Sequence, residues 1–283
     1  MALERILTDY GEPLQYLIYF GLLGALGLVE AVAPRGDGPA ERARRWPANF
    51  GLTALNVVVL GALPVSGLAV AVIAQQHGWG FLNRYPLPLA VTLAVAILAR
   101  SFVSYAVHVA MHKVPALWRV HRVHHTDVFL DVSTTVRFHP LEFLIQLGPT
   151  ALLILGLGLP PWSIILYELL DTAANLFIHA NARVPAYLDG WLRHVLVTPD
   201  LHRVHHSALW PATDSNYGVV VPWWDRLFGT YRRPGGGPEE ARLGLEECQD
   251  RRASSLGWLL GLPFRPRLAV DSGAAVRREA GLE

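Results

Sequence analysis

Residues 89–125 read LAVTLAVAILARSFVSYAVHVAMHKVPALWRVHRVHH, and the fold follows from this stretch. Its first half is apolar and free of proline and glycine, long enough for a bilayer at about 1.5 Å per residue. Its second half carries histidines at helical spacing. His108 and His112 stand four apart in HVAMH, so on a helix they share one face, with Ser104 a turn earlier on the same stripe. His121, His124 and His125 in HRVHH, at i, i+3 and i+4, form a second such face. A membrane-length helix thus runs into a helix studded with imidazoles. The pentapeptide returns at 202–206 with His202, His205 and His206, and His179 ends another apolar stretch between the copies. Twelve of 283 residues are histidine, so a given position is histidine about 4% of the time. Two HxxHH copies and an HxxxH are not an accident of composition.

Working outward, 52% of the chain is hydrophobic and only 17% charged, with a mean hydropathy of +0.30. Soluble proteins are about a quarter charged. The apolar residues fall into blocks at 14–33, 50–74, 87–112 and 141–179, and Pro160-Pro161 divides the last into a hairpin. Proline at 64 and glycine at 67 inside the second block are compatible with a membrane helix. The N-terminal stretch MALERILTDYGEP is neither short nor basic, which argues against a cleaved signal peptide. The expectation is an all-α, multi-pass membrane helical bundle of about four main spans. Three regions are expected: N-terminal transmembrane residues 1–94, a catalytic region at 95–232, and a tail at 233–283. Within the tail, 254–264 reads equally as a surface helix on the membrane and as a helix packed on the cap. A net charge of +1 gives nucleic acid no electrostatic hold. One cysteine, Cys248, excludes an internal disulfide framework and a thiolate metal cluster.

Arg35, Arg42, Arg44 and Arg45 follow the first block, whereas only Arg84 lies in the loop near 76–86. The positive-inside rule makes the first loop cytoplasmic, and counting spans brings every histidine from 108 to 206 to that same face. A cytoplasmic helical cap is expected there.

Neutral imidazole ligates iron, zinc, copper or nickel, and i/i+4 pairs on helices aim two nitrogens at one ion. Nine histidines (108, 112, 121, 124, 125, 179, 202, 205 and 206) exceed the needs of one tetrahedral ion and suit two. His77, alone, reads as an interfacial residue. Behind the nine, His139 and His194 read either as orienting groups or as a helix-start and a solvent-facing residue. Glu168, Asp171 and Asn175 lie on one face leading to His179, and carboxylates in a membrane helix are expensive and functional by default. Asp171 reads as fixing an imidazole tautomer, or as pairing with Arg100. Asn216 and Tyr217 read as turn-formers, and Trp223, Trp224 and Phe228 as interface anchors.

HVAMH, HRVHH, FIHAN and the second HRVHH, with VRFHPLE (136–142), VTPDLHRVHHS (197–207), NYG (216–218) and WDRLFGTY (224–231), resemble the fatty acid hydroxylase superfamily, which includes sterol desaturases and sterol methyl oxidases. The resemblance spans about residues 95–232. It implies an integral-membrane oxidoreductase that hydroxylates or desaturates a sterol, fatty acyl or related lipid with O2. It also implies two transition-metal ions, generally iron with zinc as the alternative, ligated by the nine histidines. Family members can carry a further histidine four residues before that of FIHAN; here the place is Asn175. No haem, flavin or dinucleotide motif is visible, so electrons are expected from a separate ferredoxin-like or cytochrome-like donor. Two other classes are weighed: a zinc-dependent membrane hydrolase, which wants a carboxylate base that neither HRVHH contains, and a metal transporter, which wants a polar path that the uncharged second block does not offer.

Overall fold

The computed structural model describes residues 2–35, 39–235, 237 and 242–266. Among these the architecture is helical: α1 (Ala2–Val32), α2 (Pro39–Gly61), α3 (Gly67–Gln76), α4 (Phe81–Arg84), α5 (Leu89–Lys113), α6 (Pro115–His125), α7 (Pro140–Leu157), α8 (Pro161–His179), α9 (Ala186–Leu192), α10 (Pro199–His205), α11 (Trp210–Thr213), α12 (Trp223–Leu227) and α13 (Leu256–Gly261). Short 3₁₀ turns and a single bridge, Ser207 to Leu243, complete it.

Among the described residues, three stretches are long and apolar enough to cross a membrane: Leu3–Val32, Leu89–Lys113 and Pro140–Leu157. The first helix begins well before the expected apolar block, taking in the N-terminal stretch. The block at 50–74 is not one helix. It breaks after Gly61 because Pro64 has no N–H to donate and its ring blocks the preceding turn. Helix α3 then restarts under a Ser66 cap, whose hydroxyl accepts from the Ala69 N–H at 3.1 Å. Helix α8, expected as the last span, is not among the three; Glu168, Asp171 and Asn175 dilute its apolar character.

Helix α1 runs along α8, burying Leu7, Trp162 and Leu169. Gly11 permits this approach, since a Cβ there would stand 2.7 Å from Ile165 Cγ2. Helices α5 and α6 are separated only at Val114, because Pro115 starts a new helix and cannot extend the old one. That bend folds HRVHH back against HVAMH.

A polar knot braces the cap. Arg45 grips Asp127 (2.5 Å) and Asp131 (3.0 Å). Arg137 is fully buried and donates to the Val123 carbonyl (3.1 Å), Asn49 Oδ1 (2.6 Å), Thr126 Oγ1 (2.7 Å) and the Ala253 carbonyl (2.5 Å). Trp258, Leu259 and Leu262 are buried with Ala48, Leu52, Trp118 and Val123, so α13 packs on the cap. Of the tail expected from 233, residues 236, 238–241 and 267–283 lie outside the described ones.

Candidate metal centre

The nine histidines come together as two adjoining groups. His108, His112, His121, His125 and His205 form one and His124, His179, His202 and His206 the other, with one ligating atom from each within 4.8 Å of its group. Each HRVHH contributes to both. His121 and His125 face the first group while His124 faces the second; His205 joins the first while His202 and His206 join the second. Helices α5 and α6 supply most of the first group, and the ends of α8 and α10 most of the second.

Hydrogen bonding identifies which nitrogens are free to ligate. His108 Nδ1 donates to the Tyr217 carbonyl (2.7 Å), His179 Nδ1 to the Asn175 carbonyl (2.8 Å) and His205 Nδ1 to the Ser215 carbonyl (2.7 Å). His121 Nδ1 donates to Glu142 Oε1 (2.9 Å). With the proton on Nδ1, each Nε2 presents a lone pair. Those lone pairs face other Nε2 atoms: His108 to His121 at 3.0 Å, His121 to His125 at 3.2 Å, His124 to His179 at 3.2 Å, and His179 to His202 at 3.0 Å. Lone pair against lone pair repels unless a cation lies between. Two nitrogens each about 2.1 Å from one ion and at right angles are about 3.0 Å apart. The spacing therefore fits a pair of metal ions, one per group.

Burial pushes His124, His125, His202 and His206 well below the usual imidazole range, with neighbouring imidazoles adding to it. His205 is pushed down to about 3, chiefly by burial. All are neutral at pH 7, which is the ligating form.

The other expected residues distribute differently. His139 caps α7, its Nδ1 accepting from the Leu141 N–H (3.2 Å) and its Nε2 donating to the Leu260 carbonyl (3.3 Å). His194 is solvent-exposed, and its main-chain carbonyl accepts from Trp223 Nε1 (2.7 Å). Asp171 Oδ2 accepts from Asn175 Nδ2 (3.0 Å) and meets no imidazole directly; the Asn175 carbonyl is what orients His179. Arg100 donates to Thr150 Oγ1 (2.8 Å) and lies 4.8 Å from the Tyr167 ring.

Sequence reasoning missed Glu142, buried in the VRFHPLE segment three residues after His139. It also missed Asp225 of WDRLFGTY, which accepts from the Tyr217 and Gly218 N–H groups (both 2.8 Å) and so aims the Tyr217 carbonyl at His108. Arg122, which helical phase turns away from the histidines, is buried and donates to the Leu262 and Arg265 carbonyls at 2.7 Å.

A cavity of about 110 Å³ opens on both groups, touching His108, His121, His124, His179 and His202. A second, of about 40 Å³, adjoins it through Ser104, Val107, Gln146 and Asp171 and reaches Arg100, Thr150 and Tyr167. The lining mixes Val107, Met111 and Phe143 with these polar groups.

Helices of membrane length and buried, paired histidine clusters define an all-helical membrane protein with a candidate metal site. The stretch that carries the site, residues 93–230, matches the fatty acid hydroxylase family model, and this chain belongs to that family. The chain is 34% identical over 193 residues to an ornithine lipid hydroxylase of Rhizobium tropici, covering 65% of this chain and 55% of the relative. It is 29% identical to an alkylglycerol monooxygenase of Danio rerio over 201 residues, 69% of this chain and 42% of the relative. A fatty acid hydroxylase of a Lecanicillium species is 30% identical over 214 residues, 70% of this chain and 56% of the relative. The chain thus spans about half the length of these relatives. No solved structure matches it.

Proposed function

We propose that this chain is a membrane-bound, O2-dependent dimetal oxidoreductase that hydroxylates a lipid. One observation carries the reading: two sets of imidazole lone pairs converge beside a single cavity inside a bundle of membrane-length helices. Family membership and relatives named as hydroxylases and a monooxygenase support it. The nine histidines are the proposed ligands. When bound, redox-active metal supplies O2 activation, which favours iron over zinc, an ion without redox chemistry.

The balance is one C–H bond, O2, two electrons and two protons giving one C–OH and water; the electrons come from an external one-electron carrier. The chain's own residues hold the imidazoles in one tautomer through Glu142 and the carbonyls of Asn175, Ser215 and Tyr217. Buried surroundings keep bulk water from the histidines. The polar reach toward Arg100, Thr150 and Gln146 favours a lipid with a hydrogen-bonding group over a plain hydrocarbon, in keeping with the relatives' names. The arginine distribution supports a multi-pass arrangement with the site on the cytoplasmic face, and residues 95–232 as the catalytic region.

The test is isotopic. Iron-loaded full-length protein with a chemical or protein reductant and membrane lipid extract should incorporate one atom of ¹⁸O from ¹⁸O2 into a lipid product. Label arriving from H2¹⁸O instead, without any need for O2, would establish a hydrolase and overturn the proposal.

A further inference from the structure

Beside the histidine cap lies an apolar surface that none of the chemistry above uses. Tyr187 (77% exposed), Trp191 (78%) and Leu227 (69%) project from α9 and α12, and Leu188, Val195, Leu196, Trp223 and Phe228 are exposed with them. The two segments form one surface: Trp223 Nε1 donates to the His194 carbonyl (2.7 Å), and Arg226 Nη2 to the Arg193 carbonyl (2.9 Å). The polar side of α9 is turned inward, where buried Asp189 pairs with Arg193 one turn on. That pair fixes which face of α9 points out. The apolar face is therefore held outward by design of the sequence, at a cost that water would make large.

What covers it follows from its neighbours. Phe228 and Trp224 pack on Phe102 of α5, with ring centroids 6.1 Å and 5.0 Å apart. Phe102 is itself exposed on a helix of membrane length, as is Leu98 one turn earlier. The patch is thus continuous with the lipid-facing side of a spanning helix. Exposed Arg226 lies within it, a cation of the kind that anionic head groups attract. Tryptophan, tyrosine and arginine over an aliphatic base is the composition of a bilayer interface. A soluble electron carrier would instead meet a surface dominated by charge.

We propose that residues 187–196 and 223–228 form an apron that lies in the interfacial layer of the lipid leaflet on the histidine side, beside the cap. The segment between the apron and the cavity is short: Val219 lines the cavity, and Val220 and Val221 pack with Tyr167 and Trp224. The apron consequently holds the histidine site at head-group depth.

Spin labelling tests this without reference to catalysis. Cys248 is buried, so the native chain serves as the unlabelled background. Nitroxides would be placed through Tyr187→Cys, Trp191→Cys and Leu227→Cys, and at exposed Asp250→Cys as the aqueous reference, in full-length protein in phosphatidylcholine–phosphatidylglycerol vesicles. Relaxation by O2 is compared with relaxation by a water-soluble nickel chelate. The O2-to-nickel accessibility ratio at the three apron sites should exceed that at position 250 by about tenfold. A ratio equal to that at position 250 overturns the proposal, because the face is then aqueous. Protection from both relaxants also overturns it, since the face is then covered by protein, whether a second copy or a co-purified chain. All three positions are surface ones, so a variant that fails to insert leaves two others to decide.

Discussion

Replacing Glu142 separates the two halves of the metal site. Its Oε1 accepts the His121 Nδ1–H at 2.9 Å, and both side chains are buried. In Glu142→Leu that N–H loses its acceptor, at a cost of about 1–3 kcal/mol. His121 can relieve the loss only by moving its proton to Nε2, the atom that faces His108 and His125. Either way ligation suffers by about 10- to 100-fold in affinity, the range seen when orienting groups behind metal ligands are removed. Glu142→Gln keeps an accepting oxygen and loses only the charge, so its loss should sit near the lower end. The damage should fall on the group of five histidines and spare the group of four. Elemental analysis during chelator titration should show Glu142→Leu descending from about two ions per chain to about one, while His139→Asn, which preserves a helix cap, keeps both. Equal affinities for wild type and Glu142→Leu would refute the orienting role.

Anaerobically purified wild-type protein should hold about two transition-metal ions per chain; a reproducible single ion would contradict the paired groups. His205→Ala and His206→Ala should each empty a different group, and the double variant should be no less active than either, because both single changes already abolish turnover. The metal-free protein should lose stability in acid. His205 is held at about 3 and Asp127 at about 2, both below their unfolded values, so unfolding takes up protons as pH falls. The melting temperature should drop from about pH 6.5 downward through the histidine range and again below about pH 4; a flat profile between pH 7.5 and 5 would be the contrary result. Arg137→Leu should lower the melting temperature strongly, since it leaves four buried acceptors, the Val123 and Ala253 carbonyls, Asn49 Oδ1 and Thr126 Oγ1, without their donor, at about 1–3 kcal/mol for each that stays unpaired; a change within about 1–2 °C would mean the knot is dispensable.

Much of this arrangement was legible because histidine spacing is periodic and helices are periodic too. HVAMH and the two HRVHH segments give their faces directly, and all nine imidazoles come together. The division of labour within HRVHH was not legible: i and i+4 serve one group in the first copy, as His121 and His125, while the second copy sends His202 and His206 to the other. Linear spacing specifies a face, not the ion across it. Pro64 is compatible with a membrane helix by sequence, yet it breaks this one, since the outcome depends on whether neighbours re-satisfy the freed carbonyls. Arg122 shows the same limit: helical phase shows that it points away from the histidines, but not that the segment after α13 covers α6 on that side. Glu142 carries no such signal, since a lone glutamate at a helix start ordinarily serves the helix and its imidazole partner lies 21 residues away in sequence.

Asn216 gives the centre an unusual kind of heredity. It sits at φ 52, the one non-glycine residue with positive φ among those described, between Ser215 and Tyr217, whose carbonyls steer His205 and His108. Its amide bridges the Leu201 and Arg232 carbonyls (3.1 and 2.9 Å), locking the elbow. A carbonyl oxygen is encoded by no codon and cannot be deleted by a point mutation; only the torsion that aims it can drift. Two imidazoles of the same group therefore answer to the bend of a residue that touches neither, and a β-branched side chain at 216 would misdirect both at once while leaving every histidine in place.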